Sequence, residues 1–326
     1  MKAMSELWPR MRGRSLNPGK LTSKVYPILR FAILVTLSYQ LLYPLLYMIS
    51  MAIREPAQAA DPSVVWIPKS VTLQNFADVM KVMDFGNVMR VSLTIGIGCG
   101  ILDVAICALT GYGFARFRFR GCNLLFGMVI FTLIVPPQTI MLPLYSMMRY
   151  FDGFGTLKLL SMFTDLPESI NLIGNPLTLF LPSALGQGYR AGLYIFMFRQ
   201  VFREMSPALE DAAYIDGCGP MRTFARIMLP NAKNTIITTF LFSFVWHWNE
   251  YYLTKMMMGS ERNAAVALSM LRMNLASLTN VQVESNPLVI LTRIQAGCLL
   301  LIAPLLIIYI VTQRYFTDSI EHSGVK

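Results

Sequence analysis

The chain has 326 residues, of which 55% are hydrophobic and only 14% charged. Soluble proteins are roughly a quarter charged, so this chain cannot cover its surface against water, which excludes a cytosolic enzyme and a disordered chain. Its net charge of +10 would suggest nucleic acid in a soluble protein, but in a membrane protein it asks which loops are basic.

Residues 1–26 read as an N-terminal extension, with Lys2, Arg10, Arg12, Arg14, Lys20 and Lys24 against one acid, Glu6. An apolar run over about 27–53 follows. It is long enough to span a bilayer and too long for a signal-peptide core. Arg54 to Arg90 is mixed in charge and reads as an external loop with short amphipathic pieces. The second span, about 91–114, carries Gly96 and Gly100 at a spacing that permits close helix contact. A basic turn follows, Arg116 to Gly121. The third span, about 124–148, contains Pro136, Pro137 and Pro143, which membrane helices tolerate where neighbours re-satisfy the backbone. Arg149 to Pro176 is charge-balanced and turn-rich, hence external.

The fourth span, about 180–202, has a blurred start at Gly186, Gly188 and Arg190. One reading splits it into an interfacial piece, Leu177 to Leu185, and a span starting near Ala191. The fifth span is about 235–258. Gly259 to Val289 reads as a polar external segment, and the sixth span is about 291–316. The result is an all-α membrane protein with six transmembrane helices. The basic stretches at the N-terminus, Arg116–Arg120 and Arg199–Lys233 fall on one side, which predicts both termini cytoplasmic.

The loop 203–233 is unlike a passive connector. Ser206 suits a helix N-cap and Pro207 the first helical position. Glu210 and Asp211 fall near the helix start, where the macrodipole favours negative charge. Gly217 suits a left-handed stop after about three turns. Gly219-Pro220 restarts a second helix through Ile227 and Leu229, which Pro230 breaks or kinks. A helix-turn-helix elbow on the cytoplasmic face is expected, with Leu209, Ala212 and Ala213 on one side. Helical spacing alone leaves two readings open: an interfacial pair packed on the bundle's own base, or a surface for another protein.

The spacing Asp211-Ala212-Ala213, three residues, Gly217, nine residues, then Ile227-x-Leu229-Pro230 resembles the EAA loop of ABC importer permeases. The longer stretch from Pro207 to Asp216 and Gly217 resembles the carbohydrate-uptake branch, with the maltose importer's smaller permease as nearest type. Trp66-x-Pro68, Thr72-Leu73-x-Asn75-Phe76, Tyr112-x-Phe114-Ala115-Arg116, Pro143-Leu144-Tyr145 and Trp248-Asn249-Glu250-Tyr251 match in the same order. Asp211 stands where the family usually has Glu, Arg90-Val91-Ser92 lacks a usual Asn, and Phe151 to Arg190 is longer than usual.

The resemblance implies an ABC importer type I (MetI-like) permease fold in the plasma membrane of a prokaryote. Residues 27–326 would form the permease domain, and 203–233 the loop whose elbow seats in an ATPase groove. Its coupling residues would be Pro207, Leu209, Glu210, Asp211, Ala212, Ala213, Asp216, Gly217, Ile227, Leu229 and Pro230. The implied partners are a second homologous permease, two ATP-binding cassette ATPases, an extracytoplasmic substrate-binding protein and the lipid bilayer, with no nucleic acid. ATP and Mg would bind the ATPases, and this chain would bind no cofactor. The implied cargo is a sugar or oligosaccharide.

Catalytic chemistry is not evident in the residues. Gly13 to Leu21 only approaches a P-loop: its glycines are one residue too far apart, and Leu21 follows Lys20 where Ser or Thr is required. Five cysteines form no C-x-x-C pair, and His247 and His322 are the two histidines, so neither a disulfide framework nor a metal site is expected. Asp103, mid-span, and Trp248, Asn249 and Glu250 in the fifth span are candidates for a translocation path. Helix–helix hydrogen bonding is the competing reading of the same residues. Arg116 reads as a topology anchor or an ATPase contact, the anchor preferred. The alternative function, a secondary transporter or channel working without an ATPase, calls for internal repeats with paired broken helices. The sequence offers no such repeat and that class leaves the elbow motif unexplained.

Overall fold

The computed structural model describes residues 18–59, 61, 63, 66–164, 167–188, 190–259, 262–278 and 287–323. Most of the N-terminal extension 1–26 lies outside the described residues, as does the stretch 279–286. Every regular element described is helical, and two isolated bridges, Arg54 with Val71 and Phe151 with Ile170, close loops.

The first helix, α1 (Pro18–Ala52), runs through Pro27 and Pro44 without a break. Its stretch from Tyr26 to Leu46 is largely exposed, while Met48, Met51 and Ala52 are buried. A short helix, α2 (Gln74–Val82), is pinned to the end of α1 by buried Asn75, which donates to the carbonyls of Ala52 at 2.9 Å and Arg54 at 2.8 Å.

The central column is α3 (Phe85–Arg116). Two helices pack along it: α8 (Ala191–Glu204) and α12 (Lys233–Asn249). The glycines of α3 are what let them approach. A Cβ at Gly96 or Gly100 would lie 2.9 Å from ring atoms of Phe244 or Phe240, and one at Gly111 would lie 2.6 Å from Phe198 Cβ. The small-residue spacing therefore admits aromatic rings of α12, where a close backbone approach was the simple expectation. In lipid, such tight packing rather than water exclusion is what holds helices together.

Three of the expected spans are interrupted. The third is two helices, α4 (Cys122–Thr132) and α5 (Pro137–Arg149), bent by 101°. Pro136-Pro137 forces this, because a residue before proline is pushed out of helical geometry. A short α6 (Thr156–Ser161) follows in the loop. The fourth divides into α7 (Leu177–Ala184) and α8, as the split reading anticipated. At the break Gly186 and Arg190 take left-handed backbone, φ +69° and +66°. The fifth ends at Asn249, short of the expected 258, and a separate α13 (Tyr252–Met257) continues.

Gly259 to Val289 is not simply polar and external. It contains α14 (Ala264–Leu278), whose Ala264, Ala267, Leu271 and Leu275 are buried with Val79, Phe244 and Trp248. Glu261, Arg262 and Arg272 obscure this stripe in the sequence, although its spacing is helical. The last helix is α15 (Pro287–Ser323).

Among the described residues, Tyr26–Ala52, Phe85–Arg116 and Leu288–Gln313 are long and apolar enough to cross a membrane, and α4 with α5 makes a fourth if the bent pair is one crossing.

Candidate functional site

The elbow starts at α9 (Ala208–Ile215), which has about two turns rather than the expected three. Ser206 Oγ accepts the N–H of Ala208 at 3.3 Å, and Glu210 and Asp211 occupy the first turn. Its end follows the Schellman pattern: Cys218 N–H reaches Ala213 O at 2.9 Å and Gly217 N–H reaches Tyr214 O at 3.0 Å. That closure needs Gly217 at φ +78°, a conformation costly to residues with a Cβ. A second limb follows: α10 (Pro220–Thr223), a π-helical turn (Phe224–Met228) and α11 (Leu229–Asn231), ending where Ala232 leaves helical geometry. The π turn lies where Pro230 can offer no N–H to the preceding turn, so the ladder rearranges around it. Ile227 and Leu229 are half-buried and Pro230 is exposed.

The faces of α9 are not as helical spacing alone suggested. Ala213 turns inward, 2% exposed, away from Leu209 and Ala212, which face out. Ile215 at 86% and Met221 at 65% extend the outward apolar surface. The three acids divide likewise: Asp211 and Asp216 are exposed, and Glu210 is buried.

Glu210 ties the elbow to α3. Tyr112 Oη donates to Glu210 Oε1 at 2.7 Å, and Arg116 Nε lies 3.2 Å from Oε2. Arg116 also donates from Nη2 to the carbonyl of Met205 at 2.8 Å, just ahead of α9. Arg116 is thus an inward clamp rather than a projecting contact. The ring of Tyr112 is enclosed by Phe117, Phe202 and Phe224, with centroids 5.8, 5.6 and 5.0 Å away. Sequence reasoning assigned Tyr112 no role and did not foresee that Arg116 holds the elbow. The available signal was their four-residue spacing, which puts both on one face at the end of a span.

A second constellation lies deeper. Asp103, fully buried, accepts from Ser243 Oγ at 2.6 Å through Oδ2, and His247 Nε2 stands 3.4 Å from the same oxygen. Oδ1 has no hydrogen-bond partner among the described residues. Gly188 covers it: a Cβ there would collide with Oδ1 and lie 2.8 Å from Ser183 Oγ. On the other side of Gly188 opens a cavity of about 450 Å³, lined by Pro137, Pro143, Ser183, Gln187, Arg190 and His247 among others. Two of the three breaks, α4/α5 and α7/α8, face it. Arg190 stacks over Trp246 at 4.7 Å.

The remaining candidates lie elsewhere. Trp248 is buried, donates from Nε1 to Leu301 O at 3.2 Å and stacks on Phe244. Asn249 is exposed and donates to Val245 O at 3.0 Å. Glu250 Oε1 accepts the N–H of Leu253 at 2.8 Å in the first turn of α13. None of the three lines the cavity.

Residues 106–322 match the family described as binding-protein-dependent transport system inner membrane component. The chain is 26% identical to the probable ABC transporter permease protein YurM of Bacillus subtilis (strain 168), over 87% of this chain and 83% of that one. It is 24% identical to the trehalose transport system permease protein SugB of Mycobacterium tuberculosis (strain CDC 1551 / Oshkosh), covering 91% and 97%. It is 25% identical to the arabinooligosaccharides transport system permease protein AraQ of Halalkalibacterium halodurans, covering 93% and 99%. Its fold matches a chain of a bacterial ABC transporter involved in import of the acidic polysaccharide alginate, with a TM-score of 0.67 at 20% identity, covering 90% and 98%.

Proposed function

Since the chain belongs to the binding-protein-dependent transport system inner membrane component family, we propose that it is a permease subunit of an ATP-driven sugar or oligosaccharide importer. The observation that carries this is the outer face of α9. Leu209, Ala212 and Ile215 are exposed on a helix that is itself clamped to α3. An exposed apolar surface on a rigidly held element fits a groove on a partner.

In this reading the elbow seats in a cytoplasmic ATPase, and its motion passes through Glu210 to the lower end of α3. ATP and Mg bind the two ATPases, and this chain binds no cofactor. A second homologous permease completes the pore, and an external binding protein delivers the solute. The broken pairs α4/α5, α7/α8 and α12/α13 serve as the third, fourth and fifth of six crossings, with both termini cytoplasmic. The solute passes the cavity at the two breaks, where interrupted helices bring polar backbone into the membrane. The sugar class comes from the names of SugB and AraQ.

The test is co-purification of the permease with its ATPases, followed by uptake in proteoliposomes. Ile215→Asp places a charge in the ATPase groove while leaving the bundle intact. Loss of both ATPase recovery and uptake at unchanged thermal stability is expected. Full uptake by that variant overturns the coupling assignment.

A further inference from the structure

On the elbow side of the bundle a second cavity, about 340 Å³, opens between the end of α3, the turn Phe117–Gly121, the start of α4 and the last turns of α8. Three arginines line it: Arg118, Arg199 and Arg203. No Asp or Glu lines it, and none of the three makes an ion pair among the described residues. The nearest acid in sequence, Glu204, accepts instead from Gln200 at 3.4 Å. Arg199 and Arg203 are one helical turn apart on the same face, a like-charge spacing that destabilises a helix when nothing intervenes. Arg199 is held in place from both sides, its Nε donating to Phe114 O at 3.4 Å and its guanidinium 3.8 Å from the centroid of Phe126. Charge is concentrated there without a counterion among the described residues.

The walls are amphiphilic in a directional way. Phe114, Phe117 and Phe119 border the arginines. Beyond them α4 has no buried residue, and Leu124, Met128 and Phe131 stand 66%, 56% and 63% exposed along it. No side chain caps α4; the Cys122 N–H bonds to Phe119 O at 3.2 Å, and the next first-turn N–H, that of the lining residue Asn123, has no intrahelical partner. Forked guanidiniums suit phosphate oxygens, and basic pockets between membrane helices on this side suit lipid headgroups.

We propose that this cavity holds the phosphate of an anionic phospholipid, with its acyl chains laid on the exposed side of α4. A free phosphate would use the same arginines but none of the apolar track. The inference rests on the membrane orientation proposed above and on no property of the ATPase contact.

The experiment is native mass spectrometry of the full chain in detergent, titrated with phosphatidylglycerol and with phosphatidylcholine of the same acyl chains. Phosphatidylglycerol is expected to bind at least about tenfold tighter. Arg118→Gln/Arg203→Gln removes two exposed charges without touching the packed core, and should lower phosphatidylglycerol affinity by about thirtyfold. Arg120→Gln, an equally exposed charge outside the lining, should keep the preference. Equal retention of the two lipids, an unaltered preference in the double variant, or an equal loss in Arg120→Gln overturns the site. Displacement of the lipid by low-millimolar inorganic phosphate overturns the lipid assignment. Because uptake is not read, failure here leaves the importer reading standing, and failure of ATPase recovery leaves this one.

Discussion

Glu210 and Asp103 are both buried carboxylates in a chain with few acids, yet they are built in opposite ways. Glu210 has one oxygen hydrogen-bonded by a tyrosine hydroxyl and the other ion-paired with a guanidinium at 3.2 Å, each from α3. Asp103 accepts from Ser243 on one oxygen, with His247 Nε2 3.4 Å from it, and leaves the other without a hydrogen bond beside Gly188. A carboxylate hydrogen-bonded on one oxygen and ion-paired on the other fixes two elements against each other. A half-satisfied one is tolerated only where it is of use, since an unpaired buried acceptor costs free energy. The first arrangement suits a rigid joint and the second the wall of a site.

The strongest way to break the contrast is Arg116→Ala. It leaves Glu210 charged and buried without its cation, at a cost of about 3–5 kcal/mol. Thermal unfolding in detergent should report it, and Arg116→Ala/Glu210→Ala should recover part of the loss. An equal loss in the double variant would mean that Arg116 acts through packing alone. Next comes a paired comparison of the same chemistry. Glu210→Gln should cost about 2–3 kcal/mol, because it ends an ion pair and weakens a charged hydrogen bond. Asp103→Asn should cost about 1 kcal/mol, because the Ser243 bond survives in neutral form. Equal losses of melting temperature would erase the distinction. Gly188→Ala forces a methyl group against Asp103 and Ser183, and overpacking of this kind costs about 1–3 kcal/mol. It should also slow uptake, whereas Gly217→Ala, with open space around it, should cost only about 1 kcal/mol from backbone strain. Its signature would be a lowered ATPase-binding affinity with normal membrane insertion.

The elbow was the most legible part of the chain. Its limits depend on local chemistry, Pro207 at the start and Gly217 at the end, and local chemistry is written in consecutive residues. The partner of Glu210 was not legible, because Tyr112 and Arg116 are nearly a hundred residues away. The inward turn of Ala213 was missed for the same reason: helical spacing shows which residues share a side, and tertiary contact decides which side is covered. The apolar stretches and their order could be read from hydropathy, but interruptions could not be positioned with equal accuracy. Pro136-Pro137 marked one break, Gly186 to Arg190 blurred another, and nothing in Trp248-Asn249-Glu250 announced the end of α12. Asp103 was recognised as anomalous in lipid, while its dependence on a glycine at position 188 required the fold.

The π turn at Phe224–Met228 has a consequence for chain length. A π turn holds one residue more than the α turn it replaces. Seen as history, it is a single-residue insertion that the helix has absorbed without losing its axis. Each residue of an α-helix advances about 100°, so deleting one residue from the α-helical stretch beside the turn would swing α9 to another quarter of the compass relative to α12, whereas deleting one within the turn would return the ladder to α geometry with little rotation. The direction in which the elbow points is thus encoded as a count of residues. Substitutions within the turn should be borne readily, and a one-residue deletion from the start of α12, outside the turn, should yield a folded permease whose elbow points the wrong way.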